Sequence, residues 1–357
     1  MQKNGVSKVN QDLSVCKKNG APGANQDNVC LLWGNAEVGV AFNDRAERYH
    51  SCNLVTERER RSLSIINSKF KIQNSKLNKI QSFPSMSKIT IILPVYNVAA
   101  YVVQCMQSLR AQTLQDIEVI FVDDKGKDNS VEIIQEYIQQ HNLTSHWHIL
   151  HMDSNQGPSA ARNAAMRKVK SEYVAFVDAD DWIEPEMMQT LYTNAIEHDA
   201  DISSAAAVLD YPDGQHTYMM NPHVGSGELT PQQRKYLLKN YVSNFTTMIF
   251  RREWLEQYNL HFPDANSGED SSFMGQCYLV ARRIAQIDQP YYHYIIHPQS
   301  ISHRKKVYRG KQKRKAFNAL IAFAQKNGCF GEYRWVLCWV YLKKAILSSI
   351  VDYLKSI

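Results

Sequence analysis

The sequence predicts an α/β protein: a mostly parallel sheet flanked by helices, followed by a helical C-terminal extension. Three observations carry this expectation. Short apolar, β-branched runs alternate with helix-length segments between Lys88 and Val208; several of these runs stop at Pro or Asp; and the chain before Lys88 is polar and aperiodic. Uninterrupted apolar runs of this length are the signature of strands buried on both faces.

Ile89-Thr90-Ile91-Ile92-Leu93 stops at Pro94 and predicts the first strand. A helix over 99–112, a strand over 117–122 and a helix over 130–140 continue the series. A strand over 147–151 follows, then a helix opening at Gly157-Pro158-Ser159, a strand over 173–177, a helix over 185–198 and a strand over 201–208. This βαβα order predicts parallel strands joined by crossover helices. Beyond Asp210 the alternation fades into turn-rich sequence, Tyr211-Pro212-Asp213-Gly214, then a strand over 246–250 and a helix over 270–282.

Three segments are expected. Residues 1–86 form a disordered extension, or precede a true start at Met86, because neither a strand period nor a helical stripe persists there. Residues 87–302 form one continuous domain, whose second half is the turn-rich part. Residues 303–357 form a helical extension, basic at first and then apolar with Trp335 and Trp339.

Composition narrows the function. The chain has 357 residues, 44% of them hydrophobic, enough for a sizeable core. A net charge of +6, with no aromatic-basic block, argues against nucleic acid as a partner. The seven cysteines contain no CxxC, which speaks against zinc and a disulfide framework and for a reduced, cytoplasmic chain. No signal-peptide pattern or long apolar stretch stands out, so secretion and membrane insertion are not expected.

In an open α/β sheet, ligands bind beyond the carboxyl ends of the strands. Here the first strand ends in Pro94-Val95-Tyr96-Asn97, the second in Asp123-Asp124 and the fourth in Asp178-Ala179-Asp180-Asp181. Five aspartates on one rim repel one another by about 4 kcal/mol per close pair at an effective dielectric of 20, so they need a cation or hydrogen-bond donors. Asp-x-Asp suits a hard divalent ion that shares its remaining positions with phosphate oxygens. Single aspartates there would serve equally well as helix caps. There is no GxGxxG after the first strand and no GxxxxGK[ST], so phosphate must be held in another way.

Together the segments 89–97, 123–130, 155–165 and 176–182 resemble family-2 glycosyltransferases with the GT-A fold. The resemblance covers 88–302 and includes Gly268-Glu269-Asp270 and 291–302. It implies a donor site mainly between Ile89 and Asp181, with Pro94, Tyr96, Asp123 and Asp124 on the uracil and ribose of a UDP-sugar. It also implies Mn²⁺ or Mg²⁺ held by Asp180 and Asp178, and Arg162 beside the donor or paired with an aspartate. Asp270 falls where inverting relatives keep their general base, and Glu269 beside it would support it or touch the acceptor. The implied reaction is inverting transfer of a sugar to a hydroxyl of a glycan or lipid-linked acceptor, in cell-surface polysaccharide synthesis. A catalytically silent sugar-nucleotide binding or scaffold protein of the same fold is the alternative.

Two departures from the family pattern bear on this. Lys125-Gly126 replaces the usual glycine-serine, which could bring Lys125 near the donor, and Ile295 stands where many relatives have an arginine, with His297 as a substitute or a mere loop residue. Trp182 could stack on a sugar or lie in the core. The basic run from His303 to Lys315 and the apolar tail would suit peripheral contact with the inner face of a membrane, or helices packed on the domain.

Overall fold

The computed structural model describes residues 29–34, 37–42, 87–297 and 309–347. The chain divides into two compact units, Met1–Ser82 and Phe83–Ile357. In the first, β1 (Val29–Gly34) and β2 (Glu37–Phe42) pair as an antiparallel hairpin, where the sequence reading has no strand. The rest of 1–86, including the expected start at Met86, lies outside the described residues.

The second unit is built on a ten-stranded sheet. In chain order it runs β3 (Ile89–Val95), α1 (Val102–Arg110), β4 (Ile117–Asp123), α2 (Ser130–Gln140), β5 (Trp147–His151), α3 (Pro158–Met166) and β6 (Tyr173–Phe176). Next come β7 (Trp182–Ile183), α4 (Met187–Glu197), β8 (Ile202–Asp210), β9 (His216–Met219), β10 (Gly227–Glu228), α5 (Pro231–Asn240) and β11 (Met248–Arg251). The described part closes with α6 (Arg252–Gln257), α7 (Glu269–Val280), β12 (Arg283–Ile295), α8 (Arg309–Lys326), α9 (Phe330–Val340) and a π-helical turn, Tyr341–Leu347.

The strand order is β10-β12-β8-β11-β6-β3-β4-β5, with β7 on β12 and β9 on β8. The half made of β6, β3, β4 and β5 is parallel, as the βαβα reading predicts. β11 enters antiparallel between β6 and β8, so the whole sheet is mixed.

Alternation along these strands divides the core into two layers, because successive side chains leave opposite faces of the sheet. Ile91, Leu93, Val119 and Phe121 pack with Cys105 and Met106 of α1, Ile134 of α2 and Leu191 of α4. Ile92, Ile120, Val122 and Phe176 face the other way, onto Ala161 of α3, Phe273 of α7, and Phe317 and Leu320 of α8.

Helix α7 has no exposed face to speak of: Ser271 through Leu279 are all buried. A helix apolar or small on every side needs covering on every side. Helices α8 and α5 pack against α7, with Leu320 and Ala324 of α8 and Leu237 and Leu238 of α5 inside the same core. The expected boundary at 302/303 lies in 298–308, outside the described residues; on either side of it the chain shares one core.

Candidate functional site

The rim at the carboxyl ends of the parallel strands takes its shape from loops that bind one another. After β4, Asp124 is buried and each of its oxygens accepts a backbone amide, from Gln156 at 2.8 Å and Gly157 at 2.9 Å. This carboxylate therefore pins the loop that opens α3, the helix carrying Arg162. Gly126 lies so close to the loop after β3 that a Cβ there would meet the Asn97 amide nitrogen at 2.9 Å. Asn97 in turn accepts the Lys127 amide through its Oδ1 at 2.7 Å.

Asp123 is also buried, but its partners lie on the rim. Its Oδ1 accepts the Lys125 amide at 2.8 Å, and its Oδ2 lies 3.1 Å from Lys125 Nζ and 2.8 Å from His151 Nδ1. Burial pushes its carboxyl up; the hydrogen bonds from His151 and Lys125 outweigh this and hold it below its ordinary value. Lys125 thus folds back on Asp123. Pro94, at the end of β3, is half-buried and Tyr96 is exposed, on the strand between those that deliver Asp123 and Asp178.

The second acidic group forms a connected cluster. Arg162, with 5% exposure, donates from Nη2 to Asp178 Oδ1 at 2.6 Å. Its guanidinium carbon sits 4.8 Å from the centre of the Phe245 ring and 5.4 Å from that of Phe262, an aromatic platform that keeps the fork dry and fixed. Asp180 Oδ2 lies 2.9 Å from His297 Nε2, and the His297 ring stacks on Tyr101 at 4.6 Å. Burial, then the charge of Asp178, raises the Asp180 carboxyl, with the contact to His297 offsetting part of the rise.

Asp181 is the structural member of the group. Its Oδ2 accepts from Tyr292 Oη at 2.6 Å and its Oδ1 from the Ile295 amide at 2.9 Å. Tyr292 also accepts the Asp178 amide at 3.2 Å, so one buried phenol ties both ends of the Asp178–Asp181 turn to β12. Ile295, which carries no charge to offer a diphosphate, contributes its backbone instead. Trp182 is half-buried, with one ring face covered by His293 at a centroid distance of 3.6 Å.

Glu269 and Asp270 open α7. Burial is the main cause raising both carboxyls, and it takes Glu269 to about 7 with the Asp270 charge adding to the effect. Arg162 acts on both in the opposite sense, and Asp178 adds to the rise of Glu269, which links this pair electrostatically to the rim cluster. The Glu269 Oε2 atom is buried with no hydrogen-bond partner among the described residues.

Lys344, in the π-helical turn, joins the same neighbourhood: its charge lowers the Asp270 carboxyl, and its Nζ lies 3.2 Å from the Tyr241 carbonyl oxygen and 3.8 Å from the Tyr241 ring centre. Burial takes the Lys344 ammonium down to about 8. Sequence reasoning missed Lys344, Tyr292 and His151. For Lys344 a signal exists, since Tyr333, Leu337, Val340 and Lys344 follow at helical spacing and the first three are buried.

The rim is chemically suited to a divalent cation that takes only part of its coordination from protein. Asp178 places one carboxylate oxygen on Arg162 and Asp180 places one on His297. Among those residues no group of three or more His, Cys, Asp and Glu side chains forms a closed metal cage. Two hard oxygens beside an open rim match an ion shared with phosphate and water.

EpsH of Bacillus subtilis (strain 168) is 33% identical over 255 residues, which span 69% of this chain and 72% of that protein. The crystal structure of Staphylococcus aureus TarS 1–349 in complex with UDP-GlcNAc superposes with a TM-score of 0.56 at 22% identity, over 75% of this chain and 79% of that one. The mannosyltransferase PcManGT from Pyrobaculum calidifontis, in complex with GDP-Man and Mn²⁺, gives 0.51 at 17% identity, over 76% and 74% of the two chains. These two structures share the GT-A fold with it. The sequence model of Glycosyl transferase family 2 matches residues 90–258, and with the EpsH likeness this makes the chain a member of glycosyl transferase family 2.

Proposed function

We propose that the protein is an inverting, metal-dependent glycosyltransferase that moves a sugar from a UDP-sugar to a hydroxyl of a glycan or lipid-linked acceptor in cell-surface polysaccharide synthesis. The observation that carries this reading is the connected cluster of Asp178, Asp180, Arg162, Glu269 and Asp270, reached from three separate elements. The UDP-GlcNAc bound to TarS supports a uridine donor.

In this reading Pro94, Tyr96 and Asp123 receive the nucleoside, and Asp124 acts through the loop it pins. Asp178 and Asp180 hold Mn²⁺ or Mg²⁺, which when bound neutralises charge on the diphosphate. Arg162 holds Asp178 in place. Asp270 accepts the proton of the acceptor hydroxyl as its oxygen bonds to the anomeric carbon, and the bond from that carbon to the UDP oxygen breaks with its electron pair leaving on UDP. Attack opposite the leaving group inverts the anomeric centre. Glu269, beside Asp270, supports the base or touches the acceptor.

The test is release of nucleoside diphosphate from a panel of UDP-sugars, with GDP-mannose alongside, in the presence and absence of Mn²⁺. Asp270→Asn should lower turnover by roughly 10²- to 10⁴-fold while donor binding persists. Chelation should abolish turnover and Mn²⁺ restore it. UDP binding without turnover across the panel would instead favour a silent sugar-nucleotide binding protein.

A further inference from the structure

Helix α9 and the π-helical turn that follows it carry two apolar stripes, and among the described residues only one of them is used in packing. Tyr333, Leu337 and Val340 are buried against the domain. Trp335, Trp339 and Leu342, also at spacings of four and three, are 75%, 48% and 44% exposed. Within Phe83–Ile357, Trp147 and Trp254 are buried and Trp182 is half-buried, so among the described residues of that unit the open indoles are those of this stripe. Cations flank it: the Arg334 guanidinium sits 5.2 Å from the Trp335 ring centre, and Lys343 is exposed.

The charge of the chain is divided in the same way. Residues 309–347 carry nine Lys and Arg against the single acid Glu332, a net +8 in a chain whose total is +6, so the remaining residues together come to −2. Among the described residues no helix is long and apolar enough to cross a membrane. Indoles settle at the headgroup level of a bilayer, and Lys and Arg beside them are drawn to anionic lipid.

We infer that the Trp335–Trp339–Leu342 stripe docks the protein on an anionic lipid surface. The indoles enter the headgroup layer, while Arg334 and Lys343 meet lipid phosphates. The buried stripe of the same helix leads on to Lys344, which lies over Tyr241 and acts on Asp270. A surface that holds the outer stripe therefore holds the wall of the proposed acceptor site, and this consequence, though not the docking, rests on the glycosyltransferase reading.

Docking is tested by co-sedimentation of the full chain, without donor, with vesicles of phosphatidylcholine alone and of phosphatidylcholine mixed with phosphatidylglycerol. The wild type should bind the mixed vesicles, lose binding as salt rises, and bind neutral vesicles at least about tenfold more weakly. The double variant Trp335→Ser/Trp339→Ser should bind mixed vesicles at least roughly tenfold more weakly with an unchanged unfolding midpoint, whereas Tyr218→Ser, at an exposed aromatic on β9, should bind as the wild type does. Equal binding to both vesicle types, or undiminished binding by the double variant, would overturn the proposal. So would a dimer that the double variant loses in the absence of any vesicle binding, since that would make the stripe a contact between copies. Asp270→Asn should still bind vesicles, and the Trp variant should still transfer to a soluble acceptor, so the two readings fail separately.

Discussion

Asp270 and Lys344 lie 74 positions apart in the numbering, yet the charge of each shifts the protonation of the other. Burial raises the Asp270 carboxyl, so the base form is lost at a higher pH than for an ordinary aspartate, and kcat/KM should fall as pH falls through that raised value. Lys344 acts in the opposite sense, because a nearby cation favours the carboxylate. Lys344→Met should therefore move the acidic limb of the kcat/KM profile to higher pH, and Lys344→Arg should leave it nearly in place. A limb unmoved by the methionine would remove Lys344 from the account.

Tyr292 makes the second residue-level prediction. Its phenol donates to Asp181 and accepts the Asp178 amide, so Tyr292→Phe removes both bonds and keeps the ring. Loss of a hydrogen bond to a buried carboxylate costs about 1.5–3 kcal/mol. We expect lower unfolding stability by that amount in denaturant titration, with weaker Mn²⁺-dependent donor binding because the Asp178–Asp181 turn loosens.

Asp178, Asp180 and Arg162 were legible in the sequence because local motifs mark them. Tyr292 and Lys344 were not, because their roles arise from contacts with residues far away along the chain. Asp124 stood in the sequence as a nucleoside candidate, and the structure places both its oxygens on backbone amides.

At the scale of elements, β3, β4 and β6 were readable because each is an apolar run buried largely on both faces, while the edge strand β5 is buried mainly at Trp147. β12 was not readable. Its sequence is broken by Gln286, Asp288, Gln289 and Pro290, and its pairing with β8 shifts register on either side of Pro290. Proline cannot donate to a ladder, and it sits here at an irregularity that lets the strand continue. Helix α5 did carry a signal, Thr230-Pro231-Gln232-Gln233, which forms a capping box with Pro in the first turn.

The contact between α7 and α8 is tight. A Cβ on Gly275 would meet Leu320 Cδ2 at 2.8 Å, and Leu320 itself is buried. Leu320→Ala should cost roughly 2–5 kcal/mol in urea unfolding. It should also reduce transfer more than donor binding, because α7 carries Asp270 and the donor rim belongs to other elements. Equal losses in both would argue that the helices of the extension do not position the base.

For the molecule as a whole, the sheet gathers residues from β3, β4 and β6 on one rim, and α7, packed against α8, is tied to that rim through the charges of Glu269, Asp270, Arg162 and Asp178. The sequence could supply the rim, since parallel strand order places their carboxyl ends together. It could not tell whether the C-terminal segment packs or stands apart, because one helix carries both a buried and an exposed apolar stripe. The structure assigns each stripe its face.

The central claim is that this rim grips a nucleoside diphosphate together with a divalent ion. The most direct measurement is a crystal structure with UDP and Mn²⁺, the metal located by its anomalous signal. The account predicts the Mn²⁺ peak on carboxylate oxygens of Asp178 and Asp180, with the base beside Pro94, Tyr96 and Asp123. A metal peak away from both aspartates, or UDP bound on another surface, would contradict it.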